Sequence, residues 1–393
     1  MKHRIHLTFA VITLAIISIQ CSEETPITER YVPSSRFEKR IDKGSSDKAM
    51  CVQQTSDGGF ILTGCIAQDP SDAEQSMLMK LDSDGNEIWT RTFDGTGGPA
   101  RSVLQMHDGG FLLAGEGVIR TDAQGNELWR KKYYTNNWMY ILDMKPEMDG
   151  GFSLTGNSWV GGEAIVRLLK IDAVGNLEWT LEQFSNGMIS GGWKLSNTPD
   201  GSKYFLRSSR KFIAPKYIHS NYIDQVSPTG ALHSEIQFGP DSYFAPVHAL
   251  PISGNRFIVT GSTYRSETDR RELYIGMYDV KGNLLTDTTL AFQASAQGIE
   301  MVRAADGGFY ILGEVIWDRG GVAAEDACLI KVDSEGKVLW QKVYQRSGDN
   351  KLKSIVLTND GSIMMVGYFR PSDQIVTDYD IWLMKTDMSG NIR

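Results

Sequence analysis

Residues 57–93 read DGGFILTGCIAQDPSDAEQSMLMKLDSDGNEIWTRTF, and the same phrase returns along the chain. An apolar stretch turns at Asp57-Gly58-Gly59-Phe60, a second runs to Gly64, and a third closes on Lys80-Leu81-Asp82. After Gly85-Asn86 a fourth carries Trp89 and Phe93. The first-turn residue recurs at Asp57, Asp108, Asp149, Asp200, Ser253, Asp306 and Asp360, with spacings of 51, 41, 51, 53, 53 and 54. The second turn recurs as Asp122/Gly125/Trp129, Asp172/Gly175/Trp179 and Asp333/Gly336/Trp340. Ser227/Gly230/Ser234 and Asp279/Gly282/Thr286 keep the spacing without the Trp. Each unit offers four strands, a to d, joined by two glycine turns. Such a unit cannot bury both faces alone and must stack on copies of itself. Four strands in roughly 40–50 residues make a propeller blade, and closing the ring hides the strand edges. The pattern predicts an all-β fold, a seven-bladed β-propeller of four-stranded blades.

The two ends of the chain fit this ring. The last unit stops at Gly390-Asn391-Ile392-Arg393, so its outer strand is missing. Aligning Ile41 with Phe93 sets Phe37 on the Trp89 position, so residues 35–42 are expected to supply that strand and close the last blade.

The chain resembles bacterial extracytoplasmic propellers built from Asp-Gly-Gly-Phe and Asp-x-x-Gly-Asn-x-x-Trp repeats, over residues 35–393. It is more distantly similar to propellers of PQQ-type repeats, whose blades carry one residue more before the Trp. The cofactor-binding residues of that type have no counterpart here, so the resemblance implies a fold and no cofactor.

Met1-Lys2-His3-Arg4 followed by the uncharged run Leu7–Ile19 is too short to span a bilayer and reads as a signal peptide, residues 1–20. Cys21 follows directly, as in bacterial lipoprotein signals, and Cys21-Ser22-Glu23-Glu24 resembles the acidic export tag of Bacteroidetes lipoproteins. The resemblance implies a lipidated Cys21, a tether over residues 21–34 and an outer-membrane lipoprotein at the cell surface, with the periplasmic face as the alternative. Net charge is −8, and −10 once Lys2 and Arg4 leave with the leader, which disfavours nucleic acid as a partner. Cys51 and Cys65 flank the first hairpin in a register that admits a disulfide, and two buried free thiols satisfy the pattern equally.

The repeated residues read as structure. Asp and Gly of the second turn supply the side-chain bond and the positive φ a hairpin needs, and no downstream carboxylate completes a calcium loop, so no metal is expected. Lys80, Arg120, Lys170, Lys331 and Lys385 stand two residues before the turn acid and are expected at a solvent edge. Both tight turns of each unit fall on one face of the disc, which should be nearly featureless. The b–c and d–a connections, among them Ser208–Asn221, Thr263–Glu272 and Val315–Ala327, fall on the other as long variable loops. These connections hold Trp138, Tyr140, Trp159, Trp193, Tyr243, Phe244, Tyr264 and Trp317, aromatics the repeat does not require and therefore candidate contacts for a ligand or partner. No catalytic motif is found, and the four histidines after the leader have no metal-ligand spacing. The expected function is a non-catalytic binding or scaffold module, a monomeric propeller recognising an envelope protein complex or a glycan. The alternatives are a periplasm-facing outer-membrane assembly lipoprotein and a polysaccharide-active enzyme.

Overall fold

A computed structural model describes residues 35–69, 71–95, 97–134, 139–160, 163–184, 188–191, 194–198, 200–213, 216–239, 244–265, 270–318, 323–371 and 378–392. Seven antiparallel sheets stand in a ring. Blades 1 to 6 span residues 48–93, 102–131, 139–184, 188–238, 244–290 and 295–344, and blade 7 spans 349–387. Strand a of each lies at the axis. In blade 4 that strand is broken into Met188–Gly191 and Leu195–Asn197, both paired with strand b.

The closing strand is Phe37–Ile41, and it pairs with strand c of blade 7 from Phe37↔Lys385 to Ile41↔Ile381. Trp89 and Phe93 pair with Lys80 and Ser76 in blade 1, so the alignment of Phe37 with Trp89 and Ile41 with Phe93 holds in register. Phe37 also does the tryptophan's packing. Trp89 lies against Gly125 of the next blade, Trp129 against Gly175 and Trp179 against Gly230, where a Cβ would come within 2.5–2.7 Å of the indole. Phe37 lies in the same way on Gly85 of blade 1. Glu38 accepts from Arg346, in the link from blade 6 to blade 7, at 2.7 Å and from the Trp382 indole at 3.1 Å, which ties the strand down on both sides.

The turn chemistry follows from the repeat. Asp82 Oδ1 accepts the amides of Asp84 at 2.9 Å and Asn86 at 2.8 Å, and Oδ2 accepts the Asn86 side chain at 2.9 Å. Asp122, Asp172, Asp279 and Asp387 repeat this pattern with Asn126, Asn176, Asn283 and Asn391.

Two expectations are corrected, and the open alternative at Cys51 and Cys65 is decided. The cations before the turn acid are buried, because each reaches across its sheet to the first-turn Asp: Lys80 to Asp57 at 2.9 Å, Lys170 to Asp149 and Lys331 to Asp306 at 2.8 Å, and Lys385 to Asp360 at 2.7 Å. Cys51 and Cys65 are free thiols. A bulge at Met50 and a longer turn shift the register, so Cys51 faces Thr63 and Cys65 faces Lys48. Finally, much of the b–c connections is strand, because their backbones go on pairing as far as Ile213↔Lys216, Arg265↔Arg270 and Asp318↔Ala323.

Asp47, in the link between the closing strand and blade 1, is fully buried with Oδ1 unpartnered. Burial pushes its carboxyl up to about 6, against the amides of Lys43 and Gly44. A raised carboxyl pKa means that stability is lost as pH rises from the ordinary value through 6. Asp47→Asn is therefore expected to gain about 2 kcal/mol at pH 7 and almost nothing near pH 4, read by denaturant titration at both pH values. A variant less stable than the parent at pH 7 would show that the charge is accommodated.

Candidate functional site

A ring of polar side chains closes the axis. Strand a carries a bulge just before the same position in five blades, between Ala49/Cys51, Ile141/Asp143, Pro246/His248, Gly298/Glu300 and Leu352/Ser354. A bulge re-aims the residue after it, here toward the axis. With Ser102 and Lys194 the ring comprises Cys51, Ser102, Asp143, Lys194, His248, Glu300 and Ser354, one from each blade. Most of these side chains accept the amide of the next blade: Ser354 from Val52 at 3.3 Å, Asp143 from Leu195 at 3.0 Å, His248 Nδ1 from Met301 at 3.0 Å and Glu300 from Ile355 at 2.9 Å. Lys194 has no lone pair for this role. It reaches two blades on instead and bonds Glu300 at 2.5 Å.

The electrostatics follow from burial and this one ammonium. Burial opposes the charge on Glu300, and Lys194 more than offsets it, holding the carboxyl below its usual range. Burial likewise opposes Asp143, and Lys145 and Lys194 hold it low. Burial and then the Lys194 charge push His248 down to about 3, so its imidazole is neutral with the proton on Nε2. Both axial acids are thus ionised near neutral pH, which suits charge pairing and not proton donation. Below the ring a cavity of about 510 Å³ opens toward the a–b turns.

Above the ring the long-loop face is uneven. Strand b runs 11 residues in blade 4, 10 in blades 5 and 6, and 9 in blades 3 and 7, but 7 in blade 1 and 4 in blade 2. At roughly 3.3 Å per residue, blade 4 rises about 20 Å beyond blade 2, since all start from the same turn level. The low side, over blades 1 and 2 and the inner flanks of blades 7 and 3, is floored by aromatics and cations. Tyr368 and Tyr379 meet edge to face at 5.3 Å. Lys351 and Lys353 stand over Tyr368 at 5.9 and 5.7 Å, and Lys48 and Arg370 over Tyr379 at 4.9 and 5.7 Å. Arg101 stands over Tyr140 at 5.3 Å with its Nε buried and unpartnered. Carboxylates pair several of these, Glu74 with Lys48 at 2.6 Å and Glu314 with Lys353 at 3.0 Å. Burial, then the charge of Lys353, holds the Lys351 ammonium below its usual range.

Of the aromatics singled out from sequence, Tyr140 lies half-buried in this floor. Tyr264 is half-buried in blade 5, and Trp317 packs partly buried against the core between blades 5 and 6. Phe244 is corrected: it is fully buried between Phe238 and Tyr274, at 6.0 and 4.6 Å, and is core because strand a of blade 5 begins there. Trp159 lies on strand b opposite Ala164, and its side chain is outside the described residues. Cys21, Trp138, Trp193 and Tyr243 also lie outside them. Sequence reading missed the axial ring, although its signal is present. Six residues before each first-turn acid, five before Ser253, stands the one polar residue or Cys just described.

No family model matches the chain. No curated protein matches it either. Among solved structures it is similar to one described as YCF48 bound to D1 peptide, at 11% identity and TM-score 0.52, covering 89% of this chain and 96% of that one. It is also similar to BBS1N in complex with ARL6DN, at 12% identity and TM-score 0.51, covering 91% and 98%. A protein of unknown function from Dyadobacter fermentans aligns at 10% identity and TM-score 0.50, covering 90% and 100%. At these identities the likeness shows the propeller fold alone.

Proposed function

We propose that the chain is a non-catalytic binding or scaffold module of a cell-envelope lipoprotein, recognising an envelope protein complex or a glycan on its long-loop face. The observation that carries this reading is the walled floor of that face, where Tyr140, Tyr368 and Tyr379 lie among Arg101, Lys48, Lys351, Lys353 and Arg370. Aromatic rings offer large contact area at low entropic cost; Lys48, Lys351, Lys353 and Arg370 are each paired with a carboxylate, and Arg101 beside Tyr140 brings an unpartnered Nε for an acidic group. The axis supports the same reading, since Asp143 and Glu300 already accept the amides of Leu195 and Ile355 and pair with Lys145 and Lys194.

The test is crosslinking and capture of the full chain from native envelope, alongside a panel of acidic and neutral glycans, for the parent and for Arg101→Ala/Lys351→Ala/Tyr368→Ala. A protein or an acidic glycan held by the parent and lost from the variant is expected. Identical retention by both would move the site off this face, and turnover of a bound polysaccharide would replace the reading with the enzyme alternative.

A further inference from the structure

The turn face, expected to be featureless, holds every large apolar side chain that is exposed among the described residues. There are nine, from 39% exposed at Val280 to 85% at Met148. Ile88, Leu128, Leu177, Leu285 and Leu339 occupy the start of strand d in blades 1, 2, 3, 5 and 6, and the other four sit beside them or in neighbouring tight turns. Single exposed apolar residues are ordinary on a protein surface; their confinement to one rim of a disc, repeated from blade to blade, is not. The chain enters the propeller on the same rim. Ser35 bonds Asp84 in the second turn of blade 1, and Arg36 pairs with Asp387 in the second turn of blade 7 at 2.9 Å.

We propose that this apolar rim is a membrane-seating surface, so that the turn face lies on the bilayer and the long-loop face points away from it. The proposal rests on the anchored reading for its address, because the segment carrying Cys21 joins the propeller at this rim. The thirteen residues 22–34 reach at most about 45 Å when fully extended. On the turn face the tether is at its point of exit, whereas bringing the opposite face down would use roughly 33 Å of that reach to pass a wall as tall as a ten-residue strand. The rim also sets the lipid chemistry. Bonds from Asn126 and Asn283 hold Asp122 and Asp279 below the usual carboxyl range, and Asp82, Asp172 and Asp387 are held low in similar turns. Cations stand among these carboxylates, Arg36 on Asp387, Lys43 on Glu87 and Arg256 on Glu335, with Lys39, Lys131 and Lys342 on the turn asparagines, so an apolar rim set in charges of both signs matches zwitterionic headgroups.

The experiment uses the full chain in phosphatidylcholine vesicles containing lipids that quench fluorescence from within the bilayer. An environment-sensitive probe is placed on Leu128→Cys or Leu339→Cys, and on Ser71→Cys at the other face. Strong quenching at the two rim positions and none at Ser71 is expected. Equal or reversed quenching overturns the proposal. If the chain floats with vesicles and the rim stays unquenched, the seating fails while the anchor stands. If Cys21→Ala floats as well as the parent, the anchor fails and the rim quenching still decides the seating. A Leu128→Asp/Leu339→Asp variant that loses an envelope protein while the parent rim stays unquenched would assign the rim to a protein partner.

Discussion

Deleting residues 35–42 is expected to abolish the cooperative unfolding transition of the propeller. Removal of the strand exposes the edge of Asp380–Asp387, strips five paired positions, and leaves Arg346 and the Trp382 indole without Glu38. It also uncovers Gly85 and the apolar cluster of blades 7 and 1 that Phe37 joins. Truncating a buried Phe alone costs about 3–5 kcal/mol in a core, and here an edge strand is opened as well. Phe37→Ala should therefore lower the melting temperature markedly, the deletion more so. Phe37→Trp should be tolerated, because Trp rests on the equivalent glycine of other blades. An unchanged midpoint after the deletion would mean that the blades close without it.

The second large effect is expected at the axis. Lys194→Met leaves Glu300 and Asp143 buried near one another without the ammonium that holds both ionised, and breaking a buried pair in this way costs about 3–5 kcal/mol. Adding Glu300→Gln should recover a substantial part of the loss, since it removes the stranded charge while keeping an acceptor for the Ile355 amide. The pH dependence follows from the same groups. Carboxyls held low stabilise the fold at neutral pH and lose that contribution as pH falls through their native values. His248, neutral in the fold down to about 3, adds loss on acidification from its ordinary value near 6.5 downward. His248→Asn keeps an acceptor for the Met301 amide and should flatten stability against pH by about 1.4 kcal/mol per unit across that window. A Lys194→Met single variant as stable as the parent, or an unchanged slope for His248→Asn, would show that the ring is not a coupled charge network.

What was legible in the sequence was whatever repeats. The glycine turns and the Trp four residues before an aromatic encode the blade, and Phe37 could be matched to Trp89 because a missing strand and a surplus strand shared one register. The heights of the b–c hairpins were hidden, since Ser208–Asn221 is rich in polar and basic residues and reads as loop, while its backbone continues to pair without needing an apolar pattern. Phe244 was misplaced for the opposite reason: a connection counted as loop had already become strand a. The disulfide register failed first at the turn, which takes up Thr55–Gly59 so that Cys51 faces Thr63, and the extra residue Met50 then turns Cys51 to the axis. The exposed rim escaped notice because Ile88 and Leu128 sit beside Trp89 and Trp129, and adjacent residues on a strand point to opposite faces.

The most direct measurement is photocrosslinking in intact cells from one position on each face of the full chain, Tyr368 above the floor of the long-loop side and Leu339 on the turn rim. The account predicts a protein or glycan adduct from Tyr368 and a lipid adduct from Leu339; a protein adduct from Leu339 with none from Tyr368 would contradict it.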